Sequence, residues 1–519
     1  MDTKALRQKI LDLAIRGKLV PQDPNDEPAE VLLERIREQK QQMFKEGKLK
    51  KKDIKNDTII FKGEDNLHYE KFADGTVKCM EDEIPFEVPE GWAWCKLNDI
   101  YNFIDYRGAT PTKITNGIPL VTAKNVKSGY IDYTIDDYIS EEEFKERQQR
   151  GISKKGDILF TTEAPLGNAA LADMEKFSAG QRLITFQQYG SKNELINYVM
   201  LMFILSDFFQ QQLYVNKTGS TVAGIKAAIL KTLWIPVPPY NEQLRISNTL
   251  KSAINLIDSI SKNKEILSTS ISNTKSKILD LAIRGKIVPQ DPNDEPASVL
   301  LERIRAEKEE LIKQGKIKRD KKESVIFKGD DNSYYEKIGN DVTCIDDEIS
   351  FDIPDTWSWT RISTITDITM GSSPKSQDIC NDNQYIEFHQ GKIYFSKKTL
   401  MKSNQYTRKT TKLAPKQSVL LCVRAPVGEL NITDRDICIG RGLASIKSLG
   451  NINEEFIFYW LHPYKTYLVN QSTGSTFSAI TSDTVRKILI PLPPLMEQKE
   501  ILDKIQKVFT LFENLETVN

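Results

Sequence analysis

The sequence lacks the features that mark several common protein classes. Its six cysteines are scattered without a Cys-x-x-Cys pair, and its three histidines show no metal-ligand spacing. It has no apolar run long enough to span a bilayer, no basic-plus-apolar leader and no Gly-x-x-x-x-Gly-Lys-Ser/Thr loop. These absences argue against a secreted disulfide protein, a membrane-spanning protein, a zinc enzyme and an ATP motor. We therefore expect free thiols and a cytoplasmic location.

The overall charge is balanced. The 519 residues include 72 Lys and Arg and 72 Asp and Glu, and 39% of the residues are hydrophobic. A net charge of zero by itself argues against a generic nucleic-acid binder. The chain is too long for one hydrophobic core, so we expect two to four domains.

The chain contains two copies of one plan. The segment Lys9–Arg37 recurs as Lys277–Arg305 with two differences, and the likeness continues as far as Trp94 and Trp359. Beyond these tryptophans the copies diverge and only short motifs survive. The motifs Ala-Pro-x-Gly, Thr-Gly-Ser-Thr and Pro-x-Pro-Pro occur at Ala164–Gly167 and Ala425–Gly428, at Thr218–Thr221 and Thr473–Thr476, and at Pro236–Pro239 and Pro491–Pro494.

A long amphipathic helix is predicted over 241–283, because apolar residues recur there every three, four or seven positions without Gly or Pro. These residues form one narrow seam: Leu250, Ile254, Ile257, Ile260, Leu267, Ile271, Ile278 and Ala282. The first part of the same pattern returns at the C-terminus, and its second part stands at the N-terminus. The complete pattern is restored only if Met1 and Asn519 lie close together, which predicts two antiparallel composite helices about a pseudo-two-fold axis.

The fold class predicted is therefore α+β. Two strand-rich globular domains are separated by a pair of long antiparallel helices, with a pseudo-two-fold internal duplication. The predicted boundaries are 1–46 (helical), 47–91 (charged connection), 92–237 (first variable domain), 238–314 (central helical region), 315–356 (charged connection), 357–492 (second variable domain) and 493–519 (C-terminal helix). Within the first copy, helices are expected over Ala5–Ile15, Ala29–Lys45 and Glu194–Leu213. Strands are expected over Ile118–Val121, Asp157–Phe160 and Leu183–Phe186, with short strands or a hairpin between Ile59 and Val88 and a basic linker over Gly47–Asn56.

Enzyme motifs are weak. Pro238-Pro239-Tyr240 is similar to the Asn/Asp-Pro-Pro-Tyr loop of amino-methyltransferases, but Val237 stands where that loop needs an Asn or Asp acceptor. A proline stop before a long helix explains the motif better. A scattered acidic nuclease cluster stays open, although nothing in the sequence points to one.

Local charge favours nucleic-acid binding in the second variable domain. From Arg361 to Ile490 there are 17 Lys and Arg against 10 Asp and Glu. The runs Lys392–Lys398 and Lys402–Lys409 mix cations, amides, hydroxyls and aromatics, as in phosphate and base-edge contacts. A solvated surface loop explains any single residue about as well. Thr-Gly-Ser-Thr fits either a phosphate cradle or a plain capped turn.

The order of these motifs, repeated twice, resembles the specificity subunit of type I restriction–modification systems. The motifs are the Trp-x-Trp pairs ending at Trp94 and Trp359, Gly-x-x-Pro at Gly108–Pro111 and Gly371–Pro374, Thr-Gly-Ser-Thr, and Pro-x-Pro-Pro-x-x-Glu-Gln at Pro236–Gln243 and Pro491–Gln498. The resemblance covers essentially the whole chain.

The resemblance implies a non-catalytic, sequence-specific DNA-recognition subunit. Its two target-recognition domains would each read one half of a bipartite, asymmetric site, and its helices would act as a ruler and a scaffold. The implied partners are double-stranded DNA, two modification (methyltransferase) subunits and two restriction (motor-nuclease) subunits. No cofactor or metal is expected on this chain, and S-adenosylmethionine is expected on the modification subunits.

Candidate DNA-binding residues follow from residue type and loop position, with Arg or Lys for guanine or phosphate, Asn for adenine and hydroxyls for phosphate. They are Lys124, Asn125, Arg182, Lys217, Thr218 and Ser220 in the first domain, and Lys392, Lys397, Lys398, Arg408, Lys409, Arg441, Thr473 and Ser475 in the second.

Two other hypotheses compete with this one. The chain could be a fused restriction–modification polypeptide whose catalytic part has been lost or split off. It could also be a decoy that binds modification subunits without reading DNA.

Overall fold

The computed structural model describes residues 2–54, 57–72, 74–107, 110–134, 137–189, 194–219, 223–319, 323–472 and 479–518. Contacts divide the chain into two units, Met1–Asn263 and Lys264–Asn519. Met1 and Asn519, whose proximity the duplication predicts, lie outside the described residues. No helix within the described ranges is both long enough and apolar enough to cross a membrane.

The elements of the first unit alternate between helices and short strands. In chain order they are α1 (Thr3–Ile15), α2 (Ala29–Lys45), α3 (Lys51–Ile54), β1 (Ile59–Lys62), β2 (His68–Lys71), β3 (Val77–Cys79), β4 (Ala93–Lys96), α4 (Leu97–Ile100), β5 (Tyr101–Asp105), β6 (Ile118–Val121), β7 (Tyr138–Ile139), α5 (Glu141–Arg147), β8 (Ile158–Thr161), β9 (Ala169–Leu171), β10 (Ser178–Ala179), β11 (Leu183–Gln188), α6 (Asn197–Ile204), α7 (Asp207–Val215), α8 (Ala227–Leu230), β12 (Trp234–Val237) and the start of α9 (Tyr240–Ile283).

The second unit repeats this order after the end of α9. Its elements are α10 (Ala297–Lys313), β13 (Ser324–Lys328), β14 (Tyr334–Ile338), β15 (Asp341–Cys344), β16 (Ser358–Arg361), α11 (Ile362–Ile365), β17 (Thr366–Met370), β18 (Ile379–Cys380), β19 (Ile386–His389), β20 (Tyr406–Thr407), β21 (Leu413–Ala414), β22 (Ser418–Cys422), β23 (Leu430–Thr433), β24 (Ile437–Ile439), β25 (Leu443–Ser448), α12 (Glu454–Leu461), α13 (Lys465–Asn470), α14 (Ser482–Arg486), β26 (Leu489–Leu492) and α15 (Leu495–Val518).

The long helix α9 has the predicted seam. Leu250, Ile254, Ile257, Ile271 and Ala282 are buried, and the other three seam residues are half-buried. Its polar faces stay exposed, so burial of one stripe accounts for the sequence period.

Each unit pairs part of α9 with a second helical segment in antiparallel orientation. In the first unit Arg7 of α1 forms an ion pair with Asp258, and Gln22 donates to Glu242 at 3.1 Å. As the residue number rises from 7 to 22 in one segment, that of its partner falls from 258 to 242, so the two segments run antiparallel. In the second unit Lys275 of α9 lies 3.5 Å from Glu516 of α15, and Gln290, after the end of α9, donates to Glu497 near the start of α15 at 2.6 Å. The predicted antiparallel pairing is thus present within each unit.

The variable region of each unit is built on a four-stranded antiparallel sheet. Its strand orders are β5-β11-β8-β9 and β17-β25-β22-β23. The first and last strands of each region also pair with each other, β4 with β12 and β16 with β26. The region therefore leaves the helices and returns to them at one place.

Two details of the sequence-based prediction are wrong. The helix predicted over Glu194–Leu213 is two helices, α6 and α7, because Ser206 caps the second one by accepting from the backbone N–H of Phe209. The segment 47–56 is more than a linker without a core pattern, since it contains α3 and Leu49 is only 6% exposed.

The charged connections each fold into a three-stranded antiparallel sheet, β1-β2-β3 and β13-β14-β15. This confirms the strands predicted between Ile59 and Val88. In the second unit Arg361 fastens the sheet to the rest, with 2.7 Å contacts to Glu336 and Glu348. In the first unit Lys96 pairs with Glu70 in the same way.

Candidate nucleic-acid interface

The loop after β6 holds the first two predicted residues in different environments. Lys124 is exposed, whereas Asn125 is only 2% exposed. The amide oxygen of Asn125 accepts from the backbone and hydroxyl of Thr122, at 2.9 and 2.8 Å, and its amide nitrogen donates to the carbonyl of Asp132 at 2.9 Å. The side chain of Asn125 therefore stabilises the conformation of the loop on which Lys124 is exposed.

Arg182 lies on an edge formed by three loops of the first unit. It has a φ of +64°, a region that non-glycine residues occupy rarely. Its Nε lies 3.0 Å from Oε1 of Glu163, and both side chains are about half exposed. Glu163 forms a β-bridge with Gly224, which in turn bridges Thr218. The structure thus brings Arg182 and Thr218 to one edge, with Glu163 between them.

The Thr-Gly-Ser-Thr loop of the first unit is closed by backbone hydrogen bonds. The Thr218 and Gly224 backbones bond each other at 2.8 and 3.0 Å. Lys217, just before the loop, places its ammonium 3.4 Å from the ring centroid of the exposed Tyr214, a cation–π contact. Ser220, Thr473 and Ser475, also predicted as DNA-binding residues, lie outside the described residues.

Three predicted lysines of the second unit contact acidic side chains. Lys397 pairs with Glu516 at 3.2 Å and Lys398 with Glu455 at 2.5 Å, so both are tied to the helices α15 and α12. Lys392 lies 3.8 Å from Glu429. Each of these three lysines therefore has a carboxylate beside its ammonium group.

Arg408 and Lys409 lie apart from Arg441. Strand β20 runs antiparallel to β19, so Arg408 emerges beside the start of β19, where its guanidinium stands 5.7 Å from the Tyr385 ring. Arg441 follows β24, which is parallel to β19, and its backbone N–H donates to Oγ of Ser373 at 3.2 Å. The two groups therefore occupy opposite ends of β19. All three side chains are exposed and have no acidic partner in the described part of the chain.

The sheet between these two ends is held by a partly buried charge cluster. Glu387 accepts from Arg435 at 2.6 and 2.7 Å and from the imidazole of His389 at 2.8 Å. Burial alone would raise the pKa of Glu387, but the hydrogen bonds from Arg435, the Ser403 backbone and His389 lower it to about 2. The carboxylate stays ionised and fixes the loop before β20.

Sequence reasoning missed two polar residues of the second unit, the exposed Arg424 and the half-buried Ser373. Arg424 follows β22 and directly precedes the Ala-Pro-x-Gly motif at Ala425–Gly428, outside the two basic runs that the sequence singles out. Ser373 donates to Gln390 at 3.0 Å beside Arg441. The motif Gly-x-x-Pro, at Gly371–Pro374, was the one sequence signal for this edge.

One group in the described ranges could hold a metal ion by distance. The side chains of His68, Glu81 and Glu87 offer atoms within 4.8 Å of one another. Nδ1 of His68 lies 3.0 Å from Glu81, and the His68 backbone donates to the same carboxylate at 2.9 Å. These bonds account for the grouping as a structural contact.

A buried polar junction joins each variable region to its helices. Nε1 of Trp92 donates to Glu242 at 2.9 Å, and Gln22 donates to the same carboxylate. In the second unit Trp357 and Gln290 bond Glu497 at 2.8 and 2.6 Å. The Trp-x-Trp and Pro-x-Pro-Pro-x-x-Glu-Gln motifs therefore meet in space.

A family model described as "Type I restriction modification DNA specificity domain" matches residues 89–268 and again residues 354–519. The chain belongs to this family. The DNA specificity domain is thus present twice, and the predicted resemblance and α+β class are confirmed.

Relatives of the specificity-domain family span nearly the whole chain. The type I restriction enzyme EcoAI specificity subunit of Escherichia coli is 25% identical, covering 99% of this chain and 90% of the relative. The EcoEI specificity subunit of Escherichia coli is 27% identical with the same coverage. Both are named specificity subunits, which agrees with the prediction that this chain is the recognition component of a restriction–modification system and not its catalyst.

A solved structure described as showing complex assembly and conformational transition of the type I R-M system supports the fold. It superposes with a TM-score of 0.56 at 21% identity, covering 84% of this chain and 94% of that one.

Proposed function

We propose that this chain reads a bipartite, asymmetric DNA sequence, one half through each specificity domain. The observation that carries the proposal is the twofold family match, over residues 89–268 and 354–519. The two domains share a framework but differ in their exposed loops. Different loops favour different base contacts, so the two half-sites should differ in sequence.

The residues that best support DNA contact are exposed cations without acidic partners in the described ranges. Lys124 is such a residue in the first domain, and Arg408, Lys409 and Arg441 are such residues in the second. Arginine can bond guanine O6 and N7 in bidentate fashion, and lysine suits phosphate. Arg182 and Thr218 lie at the edge of the first domain that Glu163 also occupies, and Lys217 directly precedes Thr218. We include these three residues among the proposed DNA contacts.

We further propose that the helices hold two modification subunits carrying S-adenosylmethionine, with two restriction subunits joining them. The support is the antiparallel helix pair of each unit and the names of the relatives, which are specificity subunits of restriction enzymes. In this arrangement the chain selects the DNA sequence and positions its partners on it, and the partner subunits carry out methylation and cleavage.

The test is selection of bound DNA from a random pool by the assembled complex. We expect enrichment of a split motif with two unlike halves, and methylation of adenines within that motif when S-adenosylmethionine is added. Enrichment of no motif would contradict DNA reading and favour a decoy. Methyl transfer by the purified chain alone would favour a fused enzyme.

A further inference from the structure

The two units place opposite charges at one equivalent position. Residue 163 follows β8 in the first unit and residue 424 follows β22 in the second, each two positions beyond the strand. The first is Glu163 and the second is Arg424, and both side chains are exposed. We call this place the edge position.

Backbone hydrogen bonds establish the equivalence. In the first unit the N–H of Thr162 donates to the carbonyl of Arg182 at 2.9 Å, and Ile225 donates to the carbonyl of Thr162 at 3.0 Å. Glu163 then bridges Gly224.

The second unit repeats the same pattern. Val423 donates to the carbonyl of Gly442 at 2.9 Å, Ile480 donates to Val423 at 2.9 Å, and Arg424 bridges Ala479. Glu163 and Arg424 therefore occupy the same place on the same framework.

The surroundings of the edge position differ in a way that matters for DNA. In the first unit Glu163 pairs with Arg182, so the carboxylate neutralises the guanidinium and restrains it. In the second unit the residue equivalent to Arg182 is Gly442. A Cβ there would lie 2.3 Å from the carbonyl oxygen of Gln390, so no side chain fits.

The second edge is consequently more positive. Arg424 has no acidic partner among the residues that the structure describes, and the neighbouring Arg441 has none either. Exposed, unpaired arginines are the side chains that most often bond guanine in the major groove. A carboxylate repels phosphate and accepts from cytosine N4 instead.

We propose that the edge position is a specificity-determining contact. Arg424 reads a guanine in the half-site of the second domain, and Glu163 holds Arg182 in the orientation that reads the half-site of the first. This inference rests on the proposed function and adds to it the residues that make the two half-sites different.

The test uses the complex assembled with modification subunits and the random DNA pool. Arg424→Ala should remove the preference at one base pair of one half-site, with a loss of about 10-fold or more in affinity for the selected site. Arg424→Lys should recover little of that preference, because an ammonium cannot form the bidentate contact. Glu163→Gln should reduce selectivity in the other half-site alone. Lys337→Ala, at an exposed cation of β14 without an acidic partner in the described ranges, is the control and should leave both half-sites unchanged.

Several outcomes would overturn the inference. One is an unchanged motif and affinity for Arg424→Ala in a correctly folded complex. Another is that Arg424→Ala weakens binding equally on all DNA sequences and Arg424→Lys restores the wild-type affinity. That result would make Arg424 a phosphate contact. Altered selectivity in both half-sites for a single variant would also contradict it. A wild-type complex that enriches no split motif would instead overturn the proposed function itself.

Discussion

Nε1 of Trp357 donates a 2.8 Å hydrogen bond to the buried carboxylate of Glu497, joining the start of a variable region to the helix that follows its end. Burial raises the pKa of Glu497, and the bonds from Trp357 and Gln290 oppose that rise. The indole is therefore one of two donors that make an ionised carboxylate tolerable at this place.

Trp357→Phe should lower the free energy of unfolding by about 1–3 kcal/mol, because it leaves the Glu497 carboxylate with one donor fewer. Trp359→Phe is the matched control. Trp359 is equally buried, but its Nε1 has no hydrogen-bond partner in the described ranges. Denaturant unfolding of the two variants should show the larger loss for Trp357, and equal losses would show that ring packing alone matters.

Gly17 allows the chain to turn closely beneath Pro89 at the end of α1. Its φ is +64°, and a Cβ would lie 2.3 Å from Cγ of Pro89. Gly17→Ala should therefore cost more than the roughly 1 kcal/mol of a left-handed alanine alone.

Gly47→Ala separates the two contributions in this prediction. Gly47 has a φ of +71° but no atom within 4 Å of a Cβ. Thermal unfolding should show a clearly larger decrease for Gly17→Ala than for Gly47→Ala. Similar decreases would mean that the backbone angle, and not the contact with Pro89, sets the cost.

The internal repeat and the spacing of apolar residues predicted the helices and several strands well, because both depend on residues that are close together in the sequence. The ends of α2 at Ala29 and Lys45 and the strand over Ile118–Val121 follow directly from pattern. The junction of Trp92 with Glu242 could not be foreseen, since its partners are 150 positions apart. The one sequence signal was that the motifs containing Trp92 and Glu242 both recur in the second copy.

The candidate site was harder to predict from residue type. Asn125 has the chemistry of an adenine reader, yet its amide bonds its own loop. Lys398 lies in a basic run, yet it forms an ion pair with Glu455 of α12. Arg424 lies outside both basic runs of the second domain, so local composition does not single it out. In these cases the contacts made in the folded chain, and not the residue type, decide which side chains remain available to DNA.

Asp99 should make the stability of the first unit depend on pH. Burial raises its pKa to about 6, against 3.8 for an unperturbed aspartate. The folded state thus keeps a proton that the unfolded chain has released, so the free energy of unfolding should fall as pH rises from about 4 to about 6. The fall should be on the order of 2–3 kcal/mol.

Asp99→Asn should flatten that pH dependence, because it removes the titrating group and keeps an oxygen for the Lys96 backbone N–H. Asp99→Thr is a second variant, since Thr364 occupies the equivalent position of α11. Unfolding midpoints of wild type and variants between pH 4 and 7 give the measurement, with Glu90→Gln as an exposed control. Parallel curves for wild type and Asp99→Asn would contradict the assignment.

Arg408→Ala and Lys409→Ala should weaken DNA binding by the assembled complex, while Lys398→Ala should have the smaller effect. The first two side chains are exposed without acidic partners in the described ranges, whereas Lys398 is held by Glu455. Each lost phosphate contact should also reduce the salt dependence of binding by about one ion, and a lost base contact should alter sequence preference instead. Affinities at several salt concentrations distinguish the two roles. Equal losses for all three variants would show that intramolecular ion pairs do not decide which cations reach DNA.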